Sequence, residues 1–359
     1  MGTQPIRIGI VGAGSIVKRR HLPGFAELED VEVVAVCNRR RETAEAVAAE
    51  WNILHVADTP EALIGRDDID TVLIGTTPHL HHDLTVAALE AGKHVFCQAR
   101  MSRDLAGARG MLAAARAHPD QVTMLCPAPH VFPGQAFVRR LLEAGELGAL
   151  RLVRLHQLAE AALSPEAPFH WRMDREVSGY NVLTLGMFAE ILHRWVGKAR
   201  TVCATGRIFT SQRPDPDSGE PRPVRIPETL AVSGELENGA HYVYTFSSVA
   251  ARAPEDAIEI YGTRGALTYE LGSHTMRMAS VEPRTDLRVG QVTEKEPLPV
   301  VEIPAAERGA WRVEADFAAA IREGSPVFPD FQQGVDYMEF VEAAGRSLET
   351  GRTITLPLE

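Results

Sequence analysis

The chain has 359 residues, 45% of them hydrophobic, enough for two cores, and a formal net charge of −11. That charge, with no basic run, excludes the footprint of a nucleic-acid binder and of a protein docked on an anionic membrane surface. No apolar run approaches the ~20 residues of a membrane span and no charged-then-apolar leader opens the sequence, so the cytoplasm is the expected compartment.

Ile6, Ile8, Ile10 and Val11 form a β-branched run suited to a parallel strand buried on both faces. Gly12 and Gly14 break it, and the pattern turns helical through Leu22 to Leu28. The glycines therefore stand where a strand hands over to a helix N-terminus, a place where backbone N–H groups and the helix dipole favour a pyrophosphate. Val17 occupies the third glycine position of G-x-G-x-x-G. Two readings stay open here: a nucleotide loop built from Gly12, Gly14, Ser15 and Ile16, or an ordinary tight turn.

Val31 to Cys37 is a second buried strand, and 41–51 a helix with Ala44, Val47, Ala48 and Trp51 on one face. The right-handed crossover of such a unit brings the end of the second strand beside the glycine loop. Asn38, Arg39 and Arg40 lie there, where an acidic residue would hold the ribose of NAD. Asn38 can bond a ribose hydroxyl and Arg39 can pair with a 2′-phosphate or stack on adenine, so NADP is favoured over NAD. The alternative is that the arginines are solvated charge at a helix start.

Alternation continues with strands at Thr71 to Gly75, Lys93 to Cys97 and Val122 to Cys126, and with helices at 81–91 and 105–117. A six-stranded doubly wound parallel sheet is expected to close by about residue 125, with five of its strands located here. His79, His81 and His82 sit at a strand-to-helix turn without a cysteine or carboxylate cluster at ligand spacing. They read as caps and as packing against a nucleotide, alongside Thr76 and Thr77, and no metal is expected. Cys37, Cys97, Cys126 and Cys203 lack C-x-x-C spacing and read as small buried thiols.

From Pro127 the character changes. A proline-rich linker, Cys126 to Pro133, leads to a helix at Gln135 to Glu143 and then to alternating segments at 151–158, 230–237, 241–247, 258–261 and 266–270. Glu237-Asn238-Gly239 and Gly262 to Gly265 are hairpin signals between them. A helix is expected at Asn181 to Val196, a surface loop at 211–227, amphipathic helices at 311–323 and 333–350, and a last strand at 352–357. The division is a Rossmann domain at 1–126 and a C-terminal α/β domain at 127–359 with a large open, mostly antiparallel sheet; the last helix and strand, 333–357, are placed as able to pack back on the first domain.

Taken in order, the segments 8–25 (IGIVGAGSIVKRRHLPGF), 76–97, 141–154, 170–174 (HWRMD), 260–270 and 316–334, with the ending 346–357 (RSLETGRTITLP), resemble the Gfo/Idh/MocA family. The resemblance implies NAD- or NADP-dependent oxidation or reduction of a sugar, inositol or related polyol, and a homodimer or homotetramer assembled through the C-terminal sheet. It also implies a relay: the lysine of an E-K-P motif, and an aspartate and a histidine four apart on a helix. These groups neutralise the oxyanion character that C–H cleavage builds on the carbinol oxygen.

Here Gln98-Ala99-Arg100 stands in place of E-K-P, Thr184 in place of the aspartate and Phe188 in place of the histidine. Gln98 remains as a cofactor contact, and Arg100, Trp171, Arg172, Asn181 and Thr184 as substrate contacts. His170 and Tyr180 are the candidates for proton handling, Tyr180 on condition that a cation such as Arg100 lowers its pKa from about 10. Three readings follow: an oxidoreductase with an altered relay, a non-catalytic nucleotide- or sugar-binding homologue, and a redox-neutral lyase or epimerase with tightly held NAD. The first is adopted.

Overall fold

A computed structural model of the chain describes residues 4–127, 132–281 and 297–358. Two compact units are present: one gathers Met1–Pro129, Glu176–Gly179 and Trp311–Met338, the other His130–Arg175, Tyr180–Ala310 and Glu339–Glu359. The expected proline-rich linker lies partly outside the described residues, at 128–131.

The first unit holds a six-stranded, wholly parallel sheet of β1 (Ile6–Val11), β2 (Val31–Cys37), β3 (His55–Val56), β4 (Thr71–Ile74), β5 (His94–Cys97) and β6 (Thr123–Leu125). Its order is β3-β2-β1-β4-β5-β6, the doubly wound arrangement in which the chain reverses direction beside the first strand. The strand not located in the sequence is β3, only two residues long and flanked by Asp and Ser-like turn chemistry, too short to carry a period. Ile8, Ile10, Val36, Leu73 and Phe96 fill the core from the sheet, and Phe317 on the helix Val313–Glu323 stacks on Phe96 with centroids 5.3 Å apart. Burying one such phenyl ring contributes about 1.5–3 kcal/mol. The helical stretch after Gly14 opens as a π turn, Val17–His21, followed by Leu22–Ala26.

The second unit is built on an eight-stranded sheet of β7 (Leu150–Leu158), β8 (Thr201–Arg207), β11 (Thr229–Glu235), β12 (His241–Ser247), β13 (Ala257–Gly262), β14 (Gly265–Glu270), β15 (Met276–Ser280) and β16 (Ile354–Thr355). The order is β15-β14-β13-β7-β12-β11-β8-β16, antiparallel except for the β7–β12 pair. Tyr242, Tyr244 and Phe246 are buried on one face, and the ring of Phe340 lies against Tyr242. The opposite face carries Val243, Arg154 and Glu259 in register across three strands, with Val243 39% exposed.

Two expectations for this unit are corrected. The helix expected from Asn181 runs only over Leu185–Val196, because Leu183 adopts a positive φ of 48° that no helix continues through. The expected loop at 211–227 contains an antiparallel hairpin, β9 (Gln212–Pro214) with β10 (Pro221–Pro223). Its strands end in prolines, which donate nothing to a ladder, so the sequence signal is that of a loop. Asp215 makes the turn, its carboxylate accepting from the amides of Asp217 and Ser218 at 3.0 and 3.1 Å.

Candidate functional site

In the first unit β1 delivers the chain to Gly12, whose φ is +90° and whose Cβ, were there one, would stand 2.7 Å from the Thr76 amide nitrogen. Both facts require glycine. Gly14 differs, since a Cβ there would meet nothing within 4 Å. Its missing side chain leaves open space at the loop, room for the close backbone approach that a pyrophosphate needs. Val17 is wholly buried, and a Cβ on Gly75 would lie 2.6 Å from its Cγ2. The glycine that the motif lacks at 17 is thus supplied across the packing at 75.

Asn38 ties the loop to the end of β2. The Ala13 amide donates to its Oδ1 at 2.7 Å, and its Nδ2 donates to Thr43 Oγ1 at 3.2 Å. Only one amide hydrogen is then left for a ribose hydroxyl. Arg39 and Arg40 are exposed next to it, and among the described residues neither side chain makes an ion pair.

His79 sits with its Nδ1 3.1 Å from Thr77 Oγ1. His81 is wholly buried, with Nδ1 3.0 Å from the Arg100 carbonyl and Nε2 3.0 Å from the Thr76 carbonyl. Desolvation lowers its pKa. It braces the loop from within, so the expectation that its ring meets the nucleotide is corrected.

Gln98 turns inward as well. Its side-chain amide donates to His21 Nε2, His21 Nδ1 donates to Glu314 Oε1 at 2.5 Å, and Trp311 Nε1 donates to Glu314 Oε2 at 2.7 Å. His21 and Glu314 are 0% and 3% exposed, so these two groups need partners inside the protein. Gln98 thus offers an amide to one ring nitrogen of His21 while Glu314 supplies a carboxylate to the other. The peptide between Ala99 and Arg100 is cis, and Arg100 is buried.

In the second unit the one-turn helix Trp171–Met173 is capped by His170, whose Nδ1 accepts from the Arg172 amide at 3.2 Å. The Arg172 guanidinium lies 4.3 Å over the Trp171 ring and 3.5 Å from His170 Nε2. It keeps solvent contact, yet desolvation by the surrounding protein lowers its pKa. Asn181 is buried, and Thr184 Oγ1 donates to Gln157 Oε1 at 2.9 Å. Phe188 is buried in an aromatic stack, its ring centroid 6.1 Å from Phe132 and 6.0 Å from Phe246.

Tyr180 departs from its expected setting. The cation over its ring is Arg175, at 4.2 Å. Burial first, and then the hydrogen bond from the phenol to Glu349, push its pKa up to about 12, which reverses the expected lowering.

Residues that sequence reasoning missed are His21, Trp311 and Glu314, and the buried pair Arg213–Glu228 described below. Only their polarity inside apolar surroundings could have marked them, and pairing across some 290 positions is invisible to periodicity. Among the described residues no three His, Cys, Asp or Glu side chains gather as metal ligands, and none of the four cysteines is in a disulfide.

Residues 6–125 match the family model of an oxidoreductase family with an NAD-binding Rossmann fold, and 136–268 match the GFO/IDH/MocA C-terminal domain. The chain is 26% identical over 360 residues to dTDP-3,4-didehydro-2,6-dideoxy-alpha-D-glucose 3-reductase of Saccharopolyspora spinosa, spanning 98% of this chain and 99% of that one. It is 24% identical to levoglucosan dehydrogenase of Pseudarthrobacter phenanthrenivorans over 92% and 93% of the two chains. In fold it is similar to a solved levoglucosan dehydrogenase in complex with NADH and levoglucosan, with a TM-score of 0.84 at 22% identity over 99% of this chain and all of that one. A crystal structure of an oxidoreductase domain protein from Kribbella flavida gives the same TM-score and identity.

Proposed function

This chain belongs to the Gfo/Idh/MocA oxidoreductase family, and from that premise we propose an NAD(P)-dependent oxidoreductase acting on a sugar, polyol or related small molecule through an altered proton relay. The observation that carries the reading is the loop at Gly12 and Gly14, held by Asn38 and open at Gly14 where the backbone has to approach a pyrophosphate. The relatives named for a deoxyhexose reductase and a levoglucosan dehydrogenase support a sugar-like substrate. A bound nicotinamide supplies the hydride acceptor or donor. The chain's own residues bind and orient: Ser15, Ile16, Thr76 and Thr77 line the nucleotide loop, and Trp171, Arg172, Asn181 and Thr184 serve the substrate. His170 handles the proton, and Tyr180, engaged with Glu349, positions that segment.

NADP is favoured because Arg39 supplies an unneutralised cation that Asn38 does not oppose. Arg39→Ala should weaken NADPH by about 1–3 kcal/mol, the range for a hydrogen bond to a charged group, and NADH much less. Quenching of protein fluorescence by each nucleotide measures this. Equal losses would mean that Arg39 stacks on adenine, and binding of neither would remove the cofactor from the reading.

A non-catalytic binding homologue is the second reading, supported by Phe188, packed into aromatic core where the family's histidine belongs. Tight nucleotide binding with no substrate turned over would favour it.

The sheet face carrying Val243, Arg154 and Glu259 supports a homo-oligomer, because a broad sheet leaves such a face to be covered. Light scattering at micromolar concentration should return a dimer or tetramer. A strictly monomeric mass would sink this assembly.

A further inference from the structure

We propose that Arg172 binds an anion, and that the small molecule taken by this protein carries a carboxylate or phosphate on its sugar-like body. The inference rests on the function proposed above and narrows its substrate class.

Arg172 has two neighbours, the Trp171 ring beneath it and His170 beside it, and no carboxylate among the described residues. Its natural partner would be Asp174, two positions on. That carboxylate is occupied: Arg222 Nη2 donates to it at 2.8 Å, while the same guanidinium lies 4.1 Å over the Phe169 ring and reaches Asp215 at 3.3 Å. The hairpin of β9 and β10 therefore supplies Asp174 with a cation and leaves Arg172 without an anion.

The hairpin is fixed from inside. Arg213, on β9, is wholly buried and donates to Glu228 at 2.7 Å and to the carbonyls of Ala162 and Ser164 at 2.6 and 2.7 Å. The other oxygen of Glu228 accepts from the amides of Phe209 and Thr210 at 2.7 and 2.8 Å. A buried pair with hydrogen bonds on both partners specifies one geometry. The segment bearing Arg172 is bracketed by the same hairpin, with Phe169 N–H donating to the Pro214 carbonyl at 2.7 Å and Arg225 N–H to the Met173 carbonyl at 3.0 Å. Arg172 is thus presented on a stretch held at both ends.

A guanidinium held over an indole and left without a counter-ion presents N–H donors to a planar, bidentate acceptor, and an exposed one is open to an anionic ligand. Against a net charge of −11 over the whole chain, an anion needs a local cation of this kind.

The test is calorimetric titration of the full-length protein, with and without NADH, using D-glucuronate, D-glucose 6-phosphate and D-glucose as probes at low salt. At least one anionic probe should bind about tenfold or more tighter than D-glucose, the effect of one charge-assisted contact. The preferred anion distinguishes carboxylate from phosphate. Arg172→Gln should abolish the preference and Arg172→Lys retain part of it. Arg222→Gln, by releasing Asp174 toward Arg172, should weaken the anion while NADH affinity and the melting temperature stay near wild type. The proposal is overturned if D-glucose binds as tightly as both anions, if the preference survives in Arg172→Gln, or if none of the three binds at millimolar concentration. Failure to bind NADH instead bears on the cofactor reading, because the anion preference is read without it.

Discussion

Glu314→Ala is expected to lower the stability of the protein by about 3–5 kcal/mol, the range for removing one member of a buried, hydrogen-bonded pair. The change strips acceptors from both His21 Nδ1, which is wholly buried, and Trp311 Nε1, which is partly buried. Collapse cannot refill the space, since the carboxylate already lies against Gly24, where a Cβ would be 2.7 Å from it. Urea denaturation measures the loss. Glu314→Gln keeps one acceptor and should fall between the two. A loss below about 1 kcal/mol for the alanine variant would mean that the network is relaxed and contributes no more than a surface pair.

On D-glucose or myo-inositol the protein should turn over 10²- to 10⁴-fold more slowly than an enzyme with a complete relay, roughly what a positioned general acid or base contributes. Ala99 offers no ammonium group, and Phe188 is held in its stack by Phe132 and Phe246, so neither position can move a proton. Whatever turnover remains with a substrate found by screening should fall further in the double variant His170→Ala, Tyr180→Phe. Steady-state NADH absorbance reads both results. A rate with glucose typical of the family, or an unchanged rate in the double variant, would refute the assignment of the relay.

Much of the first unit is legible in the sequence because its strands are buried on both faces and its helices on one. Ile6 to Val11 and residues 41–51 announce themselves by composition and period, and Gly12 and Gly14 by position. Legibility fails where a group's role depends on a distant partner. Gln98 reads as a degraded catalytic motif until its amide is seen against His21, whose other ring nitrogen meets Glu314. Tyr180 reads as a proton donor until Glu349 takes its hydroxyl. The hairpin at Gln212–Pro214 and Pro221–Pro223 reads as a loop because its stability comes from Arg213 and Glu228 and not from alternation. Local pattern reports what a residue can do, while the partner decides which of those things it does.

The return of Trp311–Met338 to the first unit sets the order in which that unit can be completed during synthesis. Its parallel sheet has left the ribosome by residue 127, but the carboxylate that His21 needs and the ring that stacks on Phe96 have not. At typical elongation rates some 180 further residues take roughly ten to forty seconds. Throughout that interval His21 lacks its carboxylate partner and Phe96 the ring that stacks on it. The unit begun first is closed last, and a fragment ending near residue 126 is fixed in that unfinished state.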